Sequence, residues 1–323
     1  MTVSKHILLA ACVLVCAAGV AFGNPGKEPG PATVASVQSG EFLVPGGFWR
    51  PSSLFPLGKQ DYEVIARVLD RAAMLATGTV RINDAWNTVV ASGDRVGLLL
   101  DARSPPASLT LVDALIDRLV HVGVRPANII VWGDKERSLF SAGLLVRKDP
   151  NGIETMGADS EGFRGGLSRI VLNHCDVLVN VARLRVDSRI GMWGAVANQL
   201  ACVPHVERLG LMANLDTLSS AAARATVKLK FRLHILDALQ PNYDVGATRK
   251  PPYWDCGKLL ASTDPVALDI IGRKILEDRR LKAGILPCAL QPDPSYLASA
   301  CDTYRLGQAD VAQITVLEHT LGE

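Results

Sequence analysis

An excess of charge of either sign is the first thing this chain lacks. Its 323 residues carry 34 lysines and arginines against 32 aspartates and glutamates, and the resulting net charge of +2 gives no electrostatic reason to expect a nucleic acid partner. Closely spaced cysteines are missing too, since none of the seven forms a C-x-x-C pair. No G-x-G-x-x-G follows a strand, no G-K-[ST] loop occurs and there is no G-x-S-x-G elbow, which excludes the usual nucleotide-binding and serine-hydrolase devices. Aromatic residues are few. Hydrophobic residues nevertheless make up 48% of the chain, enough for a large core in one domain or two closely packed lobes.

The apolar run from Ile7 to Phe22, which follows Lys5, is short for a membrane span. It ends in Ala21-Phe22-Gly23, the small-residue pattern of a signal-peptidase site. Residues 1–23 therefore read as a cleaved signal peptide, with an uncleaved anchor as the alternative. The expected mature protein is periplasmic or extracellular, with no membrane contact after cleavage. It keeps Cys175, Cys202, Cys256, Cys288 and Cys301, whose irregular spacing fits buried apolar side chains better than a disulfide framework. Residues 24–58 read as a linker and N-terminal extension, and the Pro-, Gly- and small-residue-rich stretch Asn24 to Ser39 as its tether. A single domain is expected over residues 59–323.

Within that domain, helical and strand-like periods alternate. Val96 to Leu100 is a continuous apolar run of strand length, Leu111 to Leu119 is apolar at helical spacing, and Ile129 to Trp132 is again strand-like. Further strands are predicted at Val177–Val181, Leu233–Leu236, Leu259–Ala261 and Ile314–Leu317, and Asp149–Gly166 reads as a glycine-rich loop. The alternation predicts an α/β fold, a mainly parallel sheet with helices on both faces. The clearest signal is Leu259 to Arg280. There Asp264 suits a helix N-cap, Pro265 suits the first turn, Asp269 adds negative charge near the positive end of the helix, and Leu268, Ile271, Ile275 and Leu276 form an apolar face. The alternation of Lys228, Lys230 and Arg232 with Leu229, Phe231 and Leu233 predicts a strand with a solvated charged face.

Several segments together resemble the domain of unknown function 362 family. They are Asn128 to Trp132, Cys175 to Val181, Lys228 to Leu233, Asp237-Ala238-Leu239 and the A-S-x-D-P-V-A-x-D run of Ala261 to Asp269. The resemblance implies a fold and no named activity. Relatives commonly carry a Pro-x-Leu-Lys-x-His run after the Asn-Val strand and then a Leu-Lys-Asn. Here the corresponding residues are Ala182 to Asp187 and Val196-Ala197-Asn198, so Arg185 stands where lysine is usual, Asp187 replaces the histidine and Ala197 removes a lysine. Some relatives add a ferredoxin-like module. This chain has no iron–sulfur cluster motif, and no cofactor is assigned.

Ligands of open parallel sheets settle beyond the carboxyl ends of the strands. The polar residues that follow the apolar runs are Asp101, Arg103, Asp134, Asn180, Arg183, Arg185, Asp237, Ser262 and Asp264. Asn180, Arg183, Arg185, Asn198, Ser262 and Asp264 are the candidate ligand-binding set, with the arginines grasping a small anion such as a carboxylate or phosphate. The opposing reading pairs these arginines with Asp101 and Asp187 as a structural network. Catalysis would use Asp101 or Asp237 as a general base. Asp101, Asp237 and His205 are the weak metal candidates, since no two of them sit at a ligand spacing. A non-catalytic binding or scaffold protein that has lost the family's lysine and histidine groups is the alternative, and a redox partner rests on analogy alone.

Overall fold

The structure, a computed structural model, describes residues 29–39, 59–103, 106–245 and 252–322. The expected signal peptide and most of the expected linker lie outside the described residues. Among the described residues eleven strands are formed: β1 (Ala32–Ser39), β2 (Val96–Leu100), β3 (Ile129–Gly133), β4 (Glu154–Gly157), β5 (Phe163–Arg164), β6 (Leu167–Ser168), β7 (Val177–Asp187), β8 (Gly191–Trp193), β9 (Phe231–Asn242), β10 (Lys258–Ser262) and β11 (Ile314–Leu321). Nine belong to one sheet in the order β11-β1-β10-β9-β7-β2-β3-β4, with β8 folded back on β7, while β5 and β6 make a separate hairpin. Pairings β4–β3–β2–β7–β9 and β1–β11 are parallel, and β10 runs against both of its neighbours.

β2 shows why the sheet is covered on both sides. All five of its residues are buried. Because successive side chains point to opposite faces, Leu98 and Leu100 enter the core under α1 (Lys59–Thr77), α2 (Ile82–Val89) and α3 (Leu109–His121), whereas Leu99 enters the core under the helix Pro265–Lys282. The strand also passes so close to its neighbours that a Cβ at Gly97 would lie 2.6 Å from both Cys175 Sγ and Leu178 Cδ2. The result is the expected α/β architecture. No helix among the described residues is long and apolar enough to cross a membrane. The five described cysteines are free thiols.

Four local expectations are corrected. Ala32–Ser39, read as part of a tether, is β1, whose small alternating residues pair antiparallel with β10 and parallel with β11. β7 and β9 extend well past the apolar runs that mark them, because Arg183, Arg185 and Asp237 are buried inside the strands with partners rather than placed after them. Asp149–Gly166 contains β4, a helical turn at Ala158–Glu161 and β5 instead of forming one loop. Lys228 and Lys230 end a short helix, Ala225–Lys230, and are not on a strand face. The ammonium of Lys230 is drawn in by the carbonyls of Val171 and Cys175, each 2.6 Å away, at the end of the π-helical turn Ile170–His174.

The helix Pro265–Lys282 starts as expected. Asp264 Oδ1 accepts from the main-chain N–H groups of Val266 and Ala267, each at 2.9 Å, and Oδ2 accepts from Gln308 N at 2.8 Å. Asp269 differs from the expectation of a charge serving its own helix. It is fully buried, and its oxygens accept from Ala195 N at 2.6 Å and Val196 N at 2.9 Å, at the start of a different helical turn, Ala195–Asn198.

Candidate functional site at the strand ends

Strand β2 delivers Asp101 to the carboxyl end of the sheet, where its N–H donates to Val181 O at 2.9 Å and fixes it beside β7. Arg185, four residues farther along β7, reaches back to it. Its Nη2 donates to Oδ1 at 2.8 Å and Oδ2 at 2.6 Å, and Arg103 adds Nε to Oδ1 at 3.1 Å and Nη2 to Oδ2 at 3.3 Å. Asp101 is only 2% exposed. Burial alone would raise its carboxyl, but Arg103 and Arg185 outweigh that and hold it below the ordinary aspartate value.

Trp193, on β8, forms the other side of this group. It stands opposite Arg185 in the β7–β8 register, and the Arg103 guanidinium carbon lies 3.0 Å from the centre of its ring. The Arg103 side chain is 30% exposed, against 11% for Arg185, so solvent meets the cluster mainly at Arg103. Asp187 attracts Arg103 from farther off, while its Oδ1 accepts from Arg189 N and Ile190 N in the turn before β8. On the neighbouring β3 end, Asp134 pairs with Arg208 at 2.7 Å.

The remaining candidates have internal partners. Arg183 donates to Pro106 O at 2.7 Å and Gln240 O at 2.6 Å. Asp237, its partner across β7–β9, accepts from Ser108 N at 2.8 Å and Leu239 N at 3.0 Å, and so anchors the start of α3. Asn180 and Asn198 bond to each other at 2.8 Å, and the Asn180 amide also donates to Ala195 O at 2.8 Å and lies 3.2 Å from His234 Nδ1. Burial lowers the His234 imidazole to about 3, so this ring is neutral. Ser262 donates to Thr33 O at 2.6 Å and accepts from Asp264 N at 3.0 Å, tying β10 to β1. His205 is exposed at the start of the helix His205–Ala213. The metal trio Asp101, Asp237 and His205 is not brought together, and no group of three or more His, Cys, Asp or Glu that could hold a metal occurs among the described residues.

Three residues matter here that the sequence did not single out: Trp193, Arg208 and, in its actual role, Asp269. Trp193 sits in Gly191-Met192-Trp193-Gly194, and Gly191 adopts φ +84° in the turn that folds β8 back, so a glycine-flanked tryptophan after an arginine-bearing strand was the available signal.

The fold and this cluster define an open, mainly parallel α/β protein with an arginine–aspartate group at its strand ends. Residues 166–274 match the family described as Domain of unknown function (DUF362), a span that includes β7, β8, β9, β10 and the first part of the helix Pro265–Lys282. Asp101 and Arg103 lie before that span. No curated protein matches the chain. A crystal structure of a protein from Thermotoga maritima is similar over 61% of this chain and 54% of its own, at 10% identity and a TM-score of 0.32. The chain thus spans about half the length of that protein, and a likeness at this level carries no argument about the site.

Proposed function

We propose that this is an exported α/β protein that binds a small anion, a carboxylate or a phosphate-like group, at the carboxyl ends of β2 and β7. The observation that carries this reading is that two guanidinium groups share one carboxylate. Asp101 serves both Arg185 and Arg103, so the three residues together keep one positive charge, whose more exposed part is Arg103, with Asp187 opposing it from farther off. Binding suits the geometry better than acid–base chemistry. A carboxylate held low by two arginines is a poor general base, and Asp237 has both oxygens on main-chain N–H groups.

Thermal shift against acetate, phosphate and sulfate tests this directly. Arg103→Lys should weaken the response several-fold because an ammonium cannot reproduce the planar fork, and Arg103→Ala should weaken binding by about tenfold or more, roughly 1.4 kcal/mol. Equal anion responses in all three proteins would remove Arg103 from the site. The scaffold reading is favoured by the internal pairing of Asn180 and Arg183, and it predicts no anion response in the wild type.

Export rests on Lys5, the apolar run and Ala21-Phe22-Gly23. N-terminal sequencing of extracytoplasmic protein should find a start at or near Asn24. Recovery of chains that still begin at Met1 or Thr2 would replace cleavage with an anchor.

A further inference from the structure

Trp193 lies against Arg103 without any hold through its own polar end, because its indole Nε1 is buried with no hydrogen-bond partner. Its place is therefore set by packing in the core and by the main chain on either side. On one side that main chain is β8, paired with β7. On the other it is Gly194-Ala195-Val196, whose N–H groups at 195 and 196 both end on Asp269. The contact is tight from both directions. A Cβ at Gly194 would stand 2.2 Å from Asp269 Oδ1, so only glycine leaves room for the carboxylate. An unbroken series of contacts thus runs from the helix Pro265–Lys282 through Asp269, the 194–196 main chain and Trp193 to Arg103 and Asp101.

We propose that Asp269 is a proton-sensitive positioning residue for the strand-end site, holding Trp193 in place against Arg103 while ionised and loosening it when protonated. An ionised carboxylate accepts from both N–H groups. A protonated one keeps its carbonyl acceptor, but its hydroxyl oxygen accepts more weakly than a carboxylate oxygen, so one of the two bonds is weakened. The titratable groups that face Asp269 are Asp264 on its own helix and Tyr296 on the helix Tyr296–Asp302. Asp264 disfavours a second negative charge nearby. The Tyr296 hydroxyl donates to Met192 O at 3.1 Å and steadies the residue next to Trp193, with Asp187 and Arg273 acting on it in turn. Burial, opposed by the two N–H bonds and reinforced by Asp264, raises the Asp269 carboxyl to about 7. Loosening then falls near neutrality. The anchoring of Trp193 stands on its own, whereas its effect on anion affinity rests on the binding function proposed above.

The test uses the full chain and acrylamide quenching of tryptophan fluorescence, with Trp193→Phe subtracted to isolate Trp193. In the wild type, Trp193 should become several-fold more quenchable as the pH falls through about 7. Asp269→Asn, which offers a single acceptor, should remain at the low-pH level throughout, and Asp278→Asn on the exposed face of the same helix should follow the wild type. Should Asp269→Asn fail to fold, Gly194→Ala attacks the same contact and should show the low-pH behaviour at about pH 8. A flat wild-type profile, or a transition that survives in Asp269→Asn, overturns the proposal.

Sulfate, which keeps its charge across this range, then reads the coupling. Its thermal shift should fall by at least half between about pH 8 and about pH 5.5 in the wild type. A quenching transition with no sulfate response at either pH would keep the Trp193 anchor and reject the anion site.

Discussion

Replacing Arg185 with alanine should destabilise the protein by about 3 kcal/mol or more in urea unfolding, the cost expected when one partner of a buried ion pair is removed. Asp101 would keep Arg103, which places the loss toward the lower end of that range. Arg103→Ala should cost distinctly less, because its side chain is 30% exposed and Arg185 continues to neutralise Asp101 through both oxygens. Asp101→Leu combined with Arg185→Met and Arg103→Met should recover much of the loss, since apolar side chains in all three places leave no charge stranded. A loss under about 1 kcal/mol for Arg185→Ala would show that Asp101 is readily hydrated or protonated, and that the strand-end network is not closed.

The second large effect is a change of sign in how stability depends on pH. Burial raises Asp264 from 3.8 to about 6 and Asp269 from 3.8 to about 7, so the folded protein holds these protons more tightly than the unfolded chain. Their contribution is fully present below 3.8 and is lost as the pH rises through about 6 and about 7. His234 works in the opposite direction. Its folded value of about 3, against 6.5 for a free imidazole, gives stability above 6.5 that is lost as the pH falls toward 3. A shift of about three units corresponds to on the order of 4 kcal/mol.

The wild type should therefore gain when acidified from about pH 7 to about pH 4, because over that range the two carboxyls together contribute roughly twice what the histidine loses. Asp269→Asn should reverse the slope, so that acid destabilises. His234→Gln should steepen the gain. Urea midpoints across this range for the three proteins check all three slopes, and an unchanged slope in both variants would mean that neither group is desolvated as the structure has it. The global gain on protonating Asp269 and the local loosening of Trp193 are compatible. The first comes from removing a buried charge, the second from weakening one of the two acceptors that hold the 195 and 196 N–H groups.

The parts of the fold legible in the sequence are those written locally. β2 and β3 announce themselves as short apolar runs, and the helix after Asp264 carries its cap, its first-turn proline and its buried face within one window. The family resemblance read from Cys175–Val181 and Ala261–Asp269 lies within the matched span. What stayed hidden depends on residues far apart in the chain. Nothing near Asp269 reveals that its acceptors meet Ala195 and Val196. The pairing of Arg185 with Asp101 is within reach of the structural-network reading, but the addition of Arg103 and Trp193 to that pair is not. The lengths of β7 and β9 were underestimated for a related reason. A charged residue normally ends a buried strand, but Arg183, Arg185 and Asp237 are carried through the interior by partners on other segments.

β1 has a consequence for the order of events during synthesis. Both of its neighbours, β10 and β11, lie more than 200 residues farther along the chain, so the first of the described strands to be synthesised is among the last to find hydrogen-bonding partners. Until then its main-chain donors and acceptors are open to water, chaperones or other chains. Completion of this edge of the sheet must wait for Ile314–Leu321. A nascent chain arrested before Lys258 should leave Ala32–Ser39 accessible to protease, and release of the full-length product should close that site.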